Sequence, residues 1–357
     1  MENTLHTIGF DDWFQAQADS VLKAPCDIAR VVAAHRESYT LSNGVTEVPA
    51  EVTGRLMFSA ESPLDYPAVG DWVCVQYVDD AASAIIDAVL PRKTVLKRKT
   101  PGKKVEFQLI AGNIDTGLIV QALDNNYNLR RLERYLVMIH DARILPVVLL
   151  SKSDLLSPEQ VASKVDDIHD LMPDVQVVAF SNKDKTGVGA VRGLLKPQQT
   201  YCMLGSSGVG KTTLLNALLG YDRFVTRTIR DKDGKGRHTT TGRQLIQLPG
   251  GALLIDTPGM RELGNIAVEN GIAQTFSEIT TLAGQCRYAD CSHTLEHGCA
   301  ILAALDAGEI PVQRYESFMK LARESAFHEM SFLEKKQKDR AFGKMVKTVL
   351  KHKRNKR

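Results

Sequence analysis

Short stretches of alternating apolar and polar residues run through 26–90, at 27–33, 38–41, 45–48, 52–58, 71–78 and 84–89, a period that predicts β-strands. Ser42, Asn43 and Gly44 supply the hairpin turn between the second and third. Strands at this spacing, with no helical period between them, predict a small closed barrel of the OB type. Farther along, apolar strands at 114–122, 144–150, 175–180, 200–204, 244–248 and 252–255 alternate with helical stretches. Leu129, Leu132, Leu136 and Ile139 fall on one helix face, and 158–171 and 211–219 also read as helices. That alternation predicts an α/β domain on a mostly parallel sheet. From about residue 270 the pattern is helical, broken by a cluster of cysteines.

Bulk properties sharpen this picture. A chain of 357 residues exceeds one ordinary core, and 43% apolar with 24% charged residues excludes disorder throughout. No apolar run is long enough to span a bilayer and the start is polar and acidic, so a cytoplasmic protein without a membrane partner is expected. The net charge of +3 conceals an asymmetry: residues 335–357 hold eleven Lys/Arg against Asp339, a local charge of +10 that leaves −7 for the rest. Residues 92–104 add seven Lys/Arg and no acid. Two such runs point to nucleic acid. Cys26, Cys74 and Cys202 sit singly in apolar surroundings and read as buried thiols.

Gly205, Ser206, Ser207, Gly208, Val209, Gly210, Lys211 and Thr212 fit the phosphate-loop pattern between an apolar strand and a helix, with Thr213 following. Glycines there let backbone N–H groups turn toward phosphate oxygens, Lys211 reaches the β- and γ-phosphates, and the Thr212 hydroxyl ligates magnesium. Asp256, Thr257, Pro258 and Gly259 follow a buried strand, where a magnesium-facing carboxylate and a γ-phosphate N–H donor belong. Between them the glycine-dotted stretch 230–242 holds His238 and the run Thr239, Thr240, Thr241, any one of which could supply the metal contact, with Thr240 taken as the candidate.

The base is read upstream. Asp154, in Ser151-Lys152-Ser153-Asp154 after a buried strand, can accept both guanine N1–H and its exocyclic amine, a pair that adenine lacks. The Lys152 stem covers the base, and Ser181-Asn182 after the next strand supplies a backbone contact to O6. Base-reading motifs therefore precede the phosphate loop, the reverse of the usual GTPase order, which a circular permutation permits. A P-loop ATPase, or another RNA-associated NTPase with a zinc module, is the alternative; it would need the phosphate loop but not Lys152 and Asp154. Cys286, Cys291, His293 and Cys299 complete a Cys₃His set suited to one structural zinc ion per chain.

With permuted motifs, barrel and Cys₃His set together, the chain resembles the ribosome small-subunit-dependent GTPase A (RsgA) family over roughly 25–330. The resemblance is most specific in 205–212, 236–241, 256–259 and the four metal ligands. It implies an OB-fold barrel, a circularly permuted P-loop GTPase domain and a helical zinc-binding domain that bind the small ribosomal subunit and its rRNA late in maturation and hydrolyse GTP to GDP there. The expected boundaries are an N-terminal extension at 1–24, the RNA-binding barrel at 25–92, a basic linker at 93–110, the GTPase domain at 111–268, the zinc domain at 269–334 and a basic tail at 335–357, in a monomer. Arg98, Gln108, Asn113 and Asp115 resemble the family's barrel-to-GTPase junction. Ser151 replaces the family's Asn or Thr, which is expected to loosen guanine binding, and Asn182 replaces Ala. Met260 cannot polarise water, so His238, beside the switch threonines, is the candidate catalytic residue together with Lys211.

Overall fold

Pairing of the first five strands closes the expected barrel. β1 (Asp27–Ala34), β2 (Tyr39–Ser42), β3 (Glu47–Val52), β4 (Trp72–Val78) and β5 (Ser83–Val89) run in the order β1-β2-β3-β5-β4, and β1 pairs with β4 to complete the ring. Every contact is antiparallel except β3 with β5, the OB-fold arrangement. Ala29, Val31, Leu41, Val73, Val75 and Ile86 fill its interior. The computed structural model describes residues 2–21, 26–35, 38–99, 107–224, 243–256 and 268–329, in two compact units, Met1–Gly264 and Asn265–Arg357.

Two expectations are corrected within the first unit, and the stretch expected as a linker gains local structure. The strand expected over 52–58 stops at Val52, because Thr53 Oγ1 accepts the Leu56 N–H at 3.3 Å and caps a short helix, α3 (Gly54–Ser59). Cys26 and Cys74 are not separate thiols but a disulfide, Cα atoms 5.8 Å apart, since the β1–β4 register sets Ile28 opposite Cys74. The stretch expected as a linker pairs with itself, β6 (Val95–Lys99) against β7 (Phe107–Gly112), in a two-stranded ribbon.

The acidic N-terminal residues form α1 (Glu2–Thr7) and α2 (Asp12–Val21). They belong to the core, with Phe10 and Phe14 packed on the buried Trp72 at centroid distances of 4.8 and 5.8 Å. Arg30, 1% exposed, ties four segments together: it donates to the carbonyls of Ile8, Gly70 and Asn113 and to Thr200 Oγ1 at 2.8 Å. Burial draws its pKa down to about 10, and the guanidinium is tolerated there because its N–H groups find acceptors.

The α/β part is a doubly wound sheet. β8 (Thr116–Ala122), β9 (Leu145–Ser151), β10 (Gln176–Ala179), β11 (Thr200–Leu204), β12 (Arg243–Gln247) and β13 (Leu253–Asp256) take the order β10-β9-β8-β11-β13-β12, parallel except for β12. Residues of α4 (Leu129–Asp141) and α5 (Pro158–His169) bury into one core, those of α6 (Val188–Leu194) and α7 (Lys211–Leu219) into another. β12 also pairs with β1, Ala34 opposite Arg243, so barrel and GTPase sheet are one continuous structure.

The second unit is helical: α8 (Glu269–Thr275), α9 (Ser277–Ala283), α10 (Ala300–Asp306) and α11 (Val312–Glu329). Arg314 on α11 stacks over Phe276 at 4.1 Å and donates to Glu278 and to the Thr275 carbonyl, joining α11 to the α8–α9 corner.

Candidate functional site

Parallel strands deliver the predicted motifs to one edge of the sheet, the carboxyl ends where open α/β sheets take ligands. The phosphate loop follows β11 and runs into α7, whose N-cap is Gly210. Gly205, at φ 144°, has no room for a side chain: a Cβ there would lie 2.3 Å from the Val120 carbonyl oxygen. Gly210, at φ 92°, would set a Cβ 2.7 Å from Asn182 Nδ2. Lys211 Nζ donates to the carbonyls of Gly205 and Ser206, both at 2.7 Å, which folds its ammonium over the loop. Thr212 is exposed on the first turn of α7 and Asp256 ends the adjacent strand β13.

The residues predicted to read the base follow the neighbouring strands, and two of them, Ser151 and Asn182, are bonded to the same loop. Ser151, fully buried at the end of β9, donates through Oγ to the Val209 carbonyl at 2.7 Å. The residue expected to loosen the site is thus a tether to the phosphate loop. Asp154 Oδ1 accepts from Ser181 Oγ at 2.7 Å, and the same hydroxyl oxygen accepts the Lys183 N–H, which orients the carboxylate. Ser153 lies in the 3-10 turn that carries Asp154, its N–H donating to the Phe180 carbonyl. Asn182 Nδ2 donates to the Gly210 carbonyl at 3.1 Å. Its Oδ1 is enclosed without a partner among the described residues, the sort of atom that a bound nucleotide or water satisfies. Asn182→Ala removes one neutral bond worth about 1 kcal/mol, so GDP titration is expected to show affinity falling about fivefold with preference over ADP intact. Unchanged affinity would mean that this tether does not support the site.

Residues that sequence reasoning missed brace the loop from β8 and α4. Asn126 Nδ2 and Arg131 Nη1 both donate to Ser206 Oγ at 3.1 Å, and Arg131 also donates to Asn126 Oδ1 at 2.8 Å. Lys152, in the left-handed region at φ 61°, forms an ion pair with Asp124 at 2.6 Å. Against the upward pull of partial burial, that bond holds the Asp124 carboxyl below its ordinary pKa. Only the D-N-N turn after an apolar strand could have hinted at this brace. His238, Thr240 and Gly259, with Met260, lie outside the described residues, as does the basic tail 335–357.

In the second unit Cys286, Cys291, His293 and Cys299 gather with all four ligand atoms within 4.8 Å of one another. Cys286 Sγ lies 3.8 Å from Cys299 Sγ, and each of these sulfurs is 3.6 Å from His293 Nδ1. A tetrahedral ion with metal–sulfur bonds of about 2.3 Å and a metal–nitrogen bond of about 2.0 Å requires edges of about 3.8 and 3.5 Å, so Cys286, His293 and Cys299 stand at the spacing of a bound ion, and Cys291 lies near enough to be the fourth ligand. Glu296 shapes the loop by accepting the Ser292 hydroxyl and the N–H groups of Ser292, Thr294 and Leu295; the Ser292 hydroxyl first, then the Ser292 and Thr294 N–H groups, pull its carboxyl far below the ordinary range. Tyr315 O–H donates to the His293 carbonyl at 2.7 Å, fixing the ligand's backbone from α11.

A doubly wound sheet with the predicted base-reading motifs after β9 and β10, ahead in the chain of a phosphate loop after β11, has the order of a circularly permuted GTPase. The RsgA GTPase family model matches residues 89–266, and the chain belongs to that family, whose members hydrolyse GTP. It is 41% identical to small ribosomal subunit biogenesis GTPase RsgA 2 of Lactiplantibacillus plantarum over 95% of this chain and 96% of that one. A Vibrio parahaemolyticus protein of the same name is 38% identical over 99% and 94%. The YjeQ structure from Thermotoga maritima superposes with a TM-score of 0.62 at 25% identity, covering 84% of this chain and 98% of that one.

Proposed function

We propose that this chain hydrolyses GTP to GDP and phosphate on the small ribosomal subunit and thereby assists a late step of the subunit's maturation. The observation that carries the reading is a phosphate loop tethered by Ser151 and Asn182 to an oriented Asp154, in a chain whose relatives are named small ribosomal subunit biogenesis GTPases. Asp154 accepts guanine N1–H and the exocyclic amine, the Lys152 stem covers the base, and the backbone at Asn182 meets O6. The loop from Gly205 to Thr213 holds the phosphates, with the Lys211 ammonium opposite the bond to be cleaved. Thr212 and Thr240 ligate magnesium, and Asp256 supports it from β13; the ion supplies charge neutralisation at the β- and γ-oxygens. Gly259 gives its N–H to the γ-phosphate, and His238 orients the attacking water once the subunit orders its loop. Zinc fills the Cys₃His set. The barrel, the stretch 92–104 and the tail 335–357 contact rRNA, and the protein works as a cytoplasmic monomer.

Turnover of GTP and of ATP, each with and without isolated small subunits, tests this. GTP hydrolysis is expected to rise on adding subunits while ATP is left unused, and His238→Ala to remove the stimulated part. Asp154→Asn breaks a charge-assisted bidentate pair, so the preference for guanine should drop by about a hundredfold. Equal use of both nucleotides, or no response to subunits, would overturn the reading.

A further inference from the structure

Beside the seam where β1 meets β12 the surface opens into a cleft of about 900 Å³, lined in part by His35, Tyr39, Tyr66, Arg98, Gln108 and Arg243. No carboxylate is among its described lining residues. Two guanidinium groups are anchored there. Arg98, on the β6–β7 ribbon, donates from Nε to Gln108 Oε1 at 3.1 Å, and Arg243, first residue of β12, donates from Nη1 to the Leu109 carbonyl at 2.8 Å. Among the described residues each is held by one hydrogen bond from its five N–H donors, and both line the cleft. Burial, and then the nearby Arg98 charge, lower the Arg243 pKa, so an anion between them would favour the charged form of both. The phenols of Tyr39 and Tyr66 are neighbours: Tyr39 is pushed upward by burial and, next, by Tyr66.

The pairing of cations with aromatics narrows the ligand. A simple anion site needs the forks but not the rings, and duplex RNA presents its bases stacked away from any ring. Guanidinium forks beside aromatic faces in a cleft of nucleotide size fit a phosphate with an unstacked base attached. The geometry points to a single-stranded RNA site at the barrel–GTPase junction, with Arg98 and Arg243 on a backbone phosphate and Tyr39 and Tyr66 against its base. This rests on the rRNA-binding reading above and names where one flexible nucleotide would enter. Arg243 begins β12, whose next residue, Gln244, pairs with Asp256 at the end of β13, so the nucleotide would sit on the sheet that carries the magnesium-facing carboxylate.

Fluorescent hexauridylate titrated into the full chain, its GTP site saturated with GDP, tests the proposal. Arg98→Ala and Arg243→Ala are each expected to weaken binding about tenfold and to flatten the slope of log affinity against log salt by about 0.7. Tyr66→Ala should weaken binding by a similar factor while leaving that slope unchanged, because stacking releases no counterions. Unaltered GDP affinity and melting temperature verify that the variants fold, and Arg98→Lys, which keeps the charge, should retain the wild-type slope. UMP should compete, and inorganic phosphate only weakly. Wild-type binding that all these variants share would overturn the junction site alone, whereas a wild type that binds no RNA would overturn the rRNA reading with it. Loss in the arginine variants with none in Tyr66→Ala, and phosphate competing as well as UMP, would make the cleft an anion site and overturn the nucleotide assignment.

Discussion

Lys211→Ala is expected to reduce GTP hydrolysis by about a thousandfold, with or without small subunits. The ammonium lies over the phosphate loop, donating to the Gly205 and Ser206 carbonyls, and no other described lysine is bonded to that loop. Without it the charge that grows on the β–γ bridge and γ-oxygens loses the lysine cation held over the loop, a deficit of about 4 kcal/mol at the transition state. Single-turnover assays at saturating GTP separate this from weaker binding, since a pure affinity defect would be recovered by more nucleotide. The fold should survive, because Arg131 and Asn126 still hold Ser206, and Ser151 still holds Val209. A variant retaining a tenth of wild-type turnover would show that Lys211 is not central to the chemistry.

Removing the metal is expected to unfold the second unit while sparing the first. Its described apolar core is small, chiefly Phe276, Ile279, Ile301, Ile310 and Phe318. A closed Cys₃His site contributes on the order of 10 kcal/mol of folding free energy, more than a core of that size can replace. Cys299 is buried at the N-cap of α10, where serine can still cap the helix, so Cys299→Ser removes a thiolate ligand while leaving the helix start intact. Strong chelation, or that substitution, should release one zinc ion per chain by elemental analysis and lower the helical circular dichroism. GDP affinity, a property of the first unit, should remain. Purified protein free of zinc, or helicity indifferent to chelation, would refute the assignment.

The two sites differ in how readily their parts could be read. Gly205 through Thr212 declare themselves because a phosphate can be wrapped only by consecutive backbone N–H groups, so the chemistry is written in adjacent residues. The Cys₃His ligands are similarly close in the chain, and their spacing constrains one small loop. Arg131 and Asn126 gave no such sign, since each meets Ser206 across more than seventy residues of sequence. The expected effect of Ser151 on guanine binding came from residue type, whereas its bond to Val209 depends on β9 ending fully buried against the loop. The helix at Gly54–Ser59 was missed because its run of apolar residues resembles a strand until the Thr53 cap is seen.

From the amino-acid order alone came the closed barrel, the α/β sheet, the permuted motifs and the metal ligands, all governed by local period or short spacing. Tertiary structure alone decided how they are joined: Arg30 binding Ile8, Gly70, Asn113 and Thr200, β12 bridging the barrel to β13, and the N-terminal helices packed on Trp72. The physical reason is that a buried guanidinium or a strand pairing gains its stability from partners the chain brings together only on folding, and their separation in sequence carries no trace of that meeting.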